Sequence, residues 1–144
     1  MKVTVKQIVS AYKALDDAKV TKLEEIEVIK IVKARKVMRT IVEDYEAFLK
    51  DVQEKFKPEN WDEIQTKIQQ WQGEGENTTL SETERIEINK TIVDYTNKVN
   101  FAVKEELDKE VEIIIETLKE DSSTKLLVEN NWELKKLDEI EIML

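Results

Sequence analysis

A nearly all-helical chain built on a long antiparallel hairpin is the fold class this sequence predicts, and three observations carry that reading. Interior helix breakers are almost absent: 144 residues contain two glycines, Gly73 and Gly75, and one proline, Pro58. Apolar residues recur at three- and four-residue spacing along two stretches of about 30 residues each. Three Ser/Thr-x-x-Glu/Gln signatures stand where such stretches begin. A chain of this length makes one ordinary core, so a single helical domain over 1–144 is expected.

Thr4 and Gln7 form the first capping box and open a short helix over 5–18, with Ile8, Tyr12 and Leu15 on one side. Thr21 and Glu24 repeat the signal before a long helix over 22–56. Its stripe of Ala34, Met38, Ile41, Tyr45, Phe48 and Val52 alternates four and three, the spacing of a coiled-coil seam. Pro58 cannot continue that helix and fits the first turn of the next, over 58–72. There Trp61, Ile64, Ile68 and Trp71 space at three-four-three. Gly73-Glu74-Gly75-Glu76-Asn77 reads as a loop. Ser81 and Glu84 make the third capping box, and Ile88, Ile92, Tyr95, Val99 and Ala102 carry the second long stripe, with Val103 and Leu107 beyond. Two helices of about 30 residues would each be about 45 Å long, matched for antiparallel packing.

Beyond residue 110 the pattern is double. Val111, Ile113 and Ile115 alternate with Glu112, Ile114 and Glu116 as in a strand, whereas Leu107, Val111, Ile114 and Leu118 continue a helical face. Length and context favour a helix over 81–118, with a short strand at 111–117 as the alternative. Asp121-Ser122-Ser123-Thr124 marks a break. Trp132, Leu134, Leu137 and Ile140 suggest a terminal amphipathic segment over 131–143, expected to be helical.

Composition excludes several chemistries. Cys and His are both absent, so disulfides, zinc sites of the Cys/His kind and imidazole- or thiolate-based nucleophiles fall away. Two neighbouring glycines do not make a phosphate-cradling loop. No apolar run approaches the ~18 residues of a membrane span, and the first residues lack a signal-peptide pattern, so a soluble intracellular protein is expected. The net charge of −9 is unevenly spread. Through Pro58 there are 13 Lys/Arg against 10 Asp/Glu; from Glu59 onward there are 10 against 22. Such asymmetry marks either a polyanion-binding half or complementary halves of one assembly.

With 32 acids and no His, any catalysis would be carboxylate chemistry around Mg²⁺. Glu43-x-x-Glu46 followed by Glu59-x-x-Asp62 resembles the metal-binding pattern of all-α nucleoside triphosphate pyrophosphatases. At about 100° per residue, however, all four acids point away from the apolar seams. Glu84-x-x-Glu87 with Glu105-x-x-Asp108 places both pairs on one helix, about 30 Å apart. A solvated face is the better reading, and no catalytic, metal or cofactor site is expected. Lys30, Lys33, Arg35, Lys36 and Arg39 are the one candidate polyanion footprint. No aromatic lies between Tyr12 and Tyr45 to stack on bases, so neutralisation by acids of a neighbouring helix, in the chain or a second copy, is expected. Direct nucleic-acid binding is not.

Trp61, Ile64, Ile68 and Trp71 are the candidate partner-binding residues, because their helix is bounded by breakers and tryptophan concentrates binding energy. The competing reading seats both indoles in the core.

The two ends of the chain, Gln7-Ile8-Val9-Ser10-Ala11-Tyr12-Lys13-Ala14-Leu15 and Leu137-Asp138-Glu139-Ile140-Glu141-Ile142-Met143-Leu144, resemble a family of short uncharacterised bacteriophage proteins encoded near tail and lysis genes. The resemblance implies a phage origin, in virion or host cytoplasm, and no activity. The functional expectation is a non-catalytic, acidic helical interaction module. It would act as a structural or assembly component that contacts copies of itself or another virion protein. The alternative is an inhibitor that covers a host defence or nucleic-acid-handling protein with its acidic surface.

Overall fold

The computed structural model describes all residues, Met1–Leu144, and 75% of them are helical. The order is β1 (Lys2–Thr4), α1 (Val5–Asp16), α2 (Glu25–Phe56), α3 (Trp61–Glu74), a 3-10 turn at Gly75–Asn77, α4 (Glu82–Leu107), β2 (Glu110–Glu112), α5 (Glu120–Asn130) and a 3-10 segment at Leu134–Met143. The expected helical class holds, with one two-stranded sheet added. The chain forms two compact units, Met1–Phe48 with Glu105–Leu144 and Leu49–Lys104.

In the first unit, the Thr4 hydroxyl accepts from the Gln7 N–H at 3.2 Å while the Gln7 side chain accepts from the Thr4 N–H at 2.9 Å. This reciprocal box starts α1 directly behind β1. Ile8, Ala11 and Leu15 then face inward against Ile31, Ala34 and Met38 of α2, Leu126 of α5, and Ile140 and Met143 of the terminal segment. That segment was expected to be an amphipathic helix over 131–143. It is instead 3-10 from Leu134 and kinked at Ile140, a bend that accompanies burial of Ile140, Ile142 and Met143 together.

The helix expected to run to Leu118 stops at Leu107. The chain turns with the Lys109 N–H on the Glu106 carbonyl, and β2 pairs antiparallel with β1, Val3 opposite Val111. Pairing explains the outcome: as a strand, Ile113 turns fully inward and Val111 packs on the same core, and both backbones gain a ladder. Past Ile113, whose N–H still bonds the Met1 carbonyl, no ladder pairing with β1 continues, so the strand alternative is realised only over its first residues.

The expected box at Thr21 and Glu24 does not form. The Thr21 hydroxyl, with the N–H groups of Thr21 and Lys22, instead donates to Glu129 near the end of α5. Asn130 completes the tether, accepting from the Lys19 N–H at 2.6 Å and donating to its carbonyl at 2.9 Å. These bonds hold the Glu129 carboxyl below its ordinary pKa, the Thr21 hydroxyl contributing most. α2 therefore starts late, at Glu25.

One charged residue is buried in the core. Glu27, 1% exposed, accepts from the Lys119 N–H and the Ser122 hydroxyl, each at 2.7 Å, and pairs with Lys30 at 2.8 Å. A carboxylate from α2 thus caps the first turn of α5, where unpaired N–H groups and the helix dipole favour an anion. Burial pushes its pKa up, but the bonds from Lys30, Ser122 and Lys119 outweigh this and bring it down to about 2.

In the second unit the core is smaller: Ile64, Leu80 and Ile88, with Ile68, Trp71 and Ile92 packed around them. Pro58 lies one turn before α3, its carbonyl accepting from the Trp61 N–H at 3.1 Å. Gly73 lies inside α3, and Gly75 makes the exit. With φ 59° and ψ −127°, Gly75 occupies a conformation that side chains disfavour. Ser81 caps α4, its hydroxyl accepting from the Glu84 N–H at 3.1 Å.

Candidate functional site

The second unit carries the sequence-selected residues. α3 presents Ile64 to Leu80 and Ile88, and at 4% exposure it is a core residue with no surface for a partner. Its inclusion in a binding ridge is therefore corrected: a four-residue stripe on a short helix must anchor that helix, and Ile64 sits at its centre. Trp61, Ile68 and Trp71 are half-buried. The Trp61 ring lies 4.8 Å from that of Tyr95, tilted by 47°, within the favourable range for an aromatic pair. Tyr95 in turn approaches the Gln53 carbonyl with its hydroxyl at 3.5 Å. Trp71 and Ile68 form one wall of a shallow cleft of about 290 Å³, with Ile88 and Ile92 opposite and Gly75 at its end. Each indole thus has one face on protein and one in solvent.

α4 has a second apolar row that the sequence reading passed over. Its inner side carries Ile88, Ile92, Tyr95 and Val99, all buried or half-buried. A different side carries Ile86, Val93 and Phe101, which are 60%, 54% and 69% exposed. The spacings of seven and eight residues keep these three on one flank of the helix. Single exposed aliphatics are ordinary, but three aligned along one helix, including a phenylalanine, make a row of apolar points spaced about two turns apart, with Lys90 and Asn97 between them. The signal was present in the sequence as a weaker periodicity beneath the stronger stripe. The helical moment falls when two sides are apolar, so one strong face is easily taken for the whole pattern.

No three acidic side chains converge to hold a metal ion. Glu43, Glu46, Glu59 and Asp62 are all exposed, Glu43, Glu46 and Asp62 on the outer sides of their helices and Glu59 in the turn before α3. The basic cluster divides. Lys30 pairs with Glu27, and Arg35 pairs with Asp16 and lies 5.2 Å over the Tyr12 ring. Lys33, Lys36 and Arg39 are exposed and form no ion pair; within the chain an acid of a neighbouring helix reaches only Arg35, since Glu27 shares α2 with Lys30. No helix is long and apolar enough to cross a membrane.

No protein-family model matches the chain, and no curated protein or solved structure is significantly similar to it.

Proposed function

We propose that this chain is a non-catalytic helical assembly module that self-associates through the outer flank of α4. The observation that carries the reading is the exposed Ile86–Val93–Phe101 row, set apart from the stripe that α4 already buries. A 26-residue helix is about 39 Å long, enough to bring a second helix into contact along several turns. The partner in this reading is another copy of the chain, whose row offers the same apolar surface. Trp61 and Trp71 pack on the inner side of α4, against Tyr95 and against Ile88 and Ile92, and so stand apart from this contact. The resemblance at the chain ends supports placing the module among structural or assembly components of a phage particle.

A second reading has its own support: the acid excess in residues 59–144 suits an inhibitor that mimics a polyanion. Sedimentation velocity across a concentration and salt series separates the two. Self-association that grows with concentration, persists in high salt and is lost in Ile86→Lys with Val93→Lys is the expected result. A chain that stays monomeric throughout, and co-purifies with a nucleic-acid-handling enzyme from which salt releases it, would replace the assembly reading with the inhibitor.

A further inference from the structure

The strand β2 has one open edge. Val111 pairs with Val3, and the ladder extends on both sides: the Ile113 N–H donates to the Met1 carbonyl and the Val5 N–H to the Lys109 carbonyl, each at 3.0 Å. In an antiparallel ladder the bonded positions alternate. The backbone groups of residues 109, 111 and 113 therefore turn toward β1, and those of Glu110, Glu112 and Ile114 turn away. The outward groups of Glu112 and Ile114 meet no hydrogen-bond partner in the chain.

Exposed edges ordinarily carry charges that discourage strand addition, and Glu110, Glu112 and Glu116 follow that rule. Ile114 breaks it, with 88% of its surface exposed. Beside it a groove of about 320 Å³ separates residues 114–116 from α2, lined by Ala34, Val37 and Ile115 and by Lys33 and Lys36. Lys30 at one end is already committed to Glu27 and to the Thr117 carbonyl at 3.2 Å. Lys33 and Lys36 have no such commitment, and Arg39 continues their row. Glu116 is the one carboxylate on the groove.

We propose that this edge and groove bind an extended, acidic and aliphatic segment of a partner protein as an added β-strand. Main-chain bonds to Glu112 and Ile114 give the pairing, an aliphatic side chain on the inward face of the added strand fills the space over Ala34 and Val37, and carboxylates flanking the paired residues meet Lys33 and Lys36.

Fluorescence anisotropy of three labelled peptides tests this: one with a Val-rich centre flanked by Glu, one with the same centre flanked by Lys, and the Glu-flanked peptide N-methylated at every second amide of its centre. The expected result is at least about tenfold tighter binding of the acidic peptide than of the basic one, with loss on N-methylation. The same binding is expected to be lost in Lys33→Glu with Lys36→Glu. It is also expected to be lost in Ile114→Pro, which removes an outward N–H and leaves the β1 ladder intact. Ile86→Lys on α4 leaves it unchanged. The proposal is overturned by no binding of the acidic peptide, by equal binding of its N-methylated form, or by indifference to the Lys variants. Dimerisation of the protein that Ile114→Pro abolishes would also overturn it, assigning the edge to a second copy.

Discussion

At the scale of single residues, Glu27 does the most to fix one arrangement of the first unit. A fully buried carboxylate would be costly alone, but here it meets a lysine, a hydroxyl and a backbone N–H at the start of a helix. Its folded pKa of about 2 lies below the ordinary 4.5, so its contribution is complete above about pH 4.5 and is lost as pH falls toward 2. The size of the shift corresponds to about 3 kcal/mol at neutral pH. Urea unfolding followed by circular dichroism is expected to show Glu27→Gln less stable than the parent by about 2–3 kcal/mol at pH 7, with the difference shrinking steadily below pH 4.5. A pH-independent difference would assign the loss to packing alone. Asn131 makes a second test. It ends α5 in the left-handed region at φ 53°, its N–H bonding the Val128 carbonyl. Asn131→Val is expected to lower unfolding free energy by about 1–2 kcal/mol and Asn131→Gly to leave it unchanged or slightly raised, in the same assay.

At the scale of elements, local chemistry was legible in the sequence wherever a helix starts or ends on its own residues. Thr4 with Gln7 and Ser81 with Glu84 act where their side chains predict, whereas α3 runs over Trp61–Glu74 and not 58–72, so Pro58 precedes it and Gly73, expected in the loop, lies inside it, leaving Gly75 as the exit. The failures share a cause, which is competition from a distant segment. Thr21 is taken by Glu129, more than a hundred residues away, before it can cap α2. Residues 108–118 leave the helix because β1 offers a ladder; the alternation at 111–116 allowed a strand, but nothing local named its partner. Glu27 drew no notice, since nothing near it in sequence foretells Ser122. For the candidate site, Trp61 and Trp71 stood out by residue type, while the α4 flank was hidden beneath a stronger stripe. The half-burial of both indoles yields graded expectations. Trp71→Ala, which opens the Ile64–Leu80–Ile88 cluster, should lower the melting temperature more than Trp61→Ala. The latter removes mainly the Tyr95 pair, worth about 0.5–1.5 kcal/mol beyond burial. Equal and severe losses in thermal melts would make both indoles core residues with no face left for a partner.

At the scale of the whole molecule, charge and apolar surface make different demands. A net charge of −9 keeps copies apart at low ionic strength, and the exposed α4 row draws them together. Association through that row should therefore strengthen as salt screens the repulsion, the opposite of a contact held by ion pairs. The cysteine-free sequence allows this contact to be located directly. A single thiol placed by Val93→Cys, and a control thiol placed by Glu43→Cys on the exposed side of α2, can each be alkylated with iodoacetamide over a range of protein concentrations. If α4 meets a second copy, alkylation at position 93 slows several-fold as concentration rises and alkylation at position 43 does not. Equal rates at every concentration and at both positions would contradict the central claim.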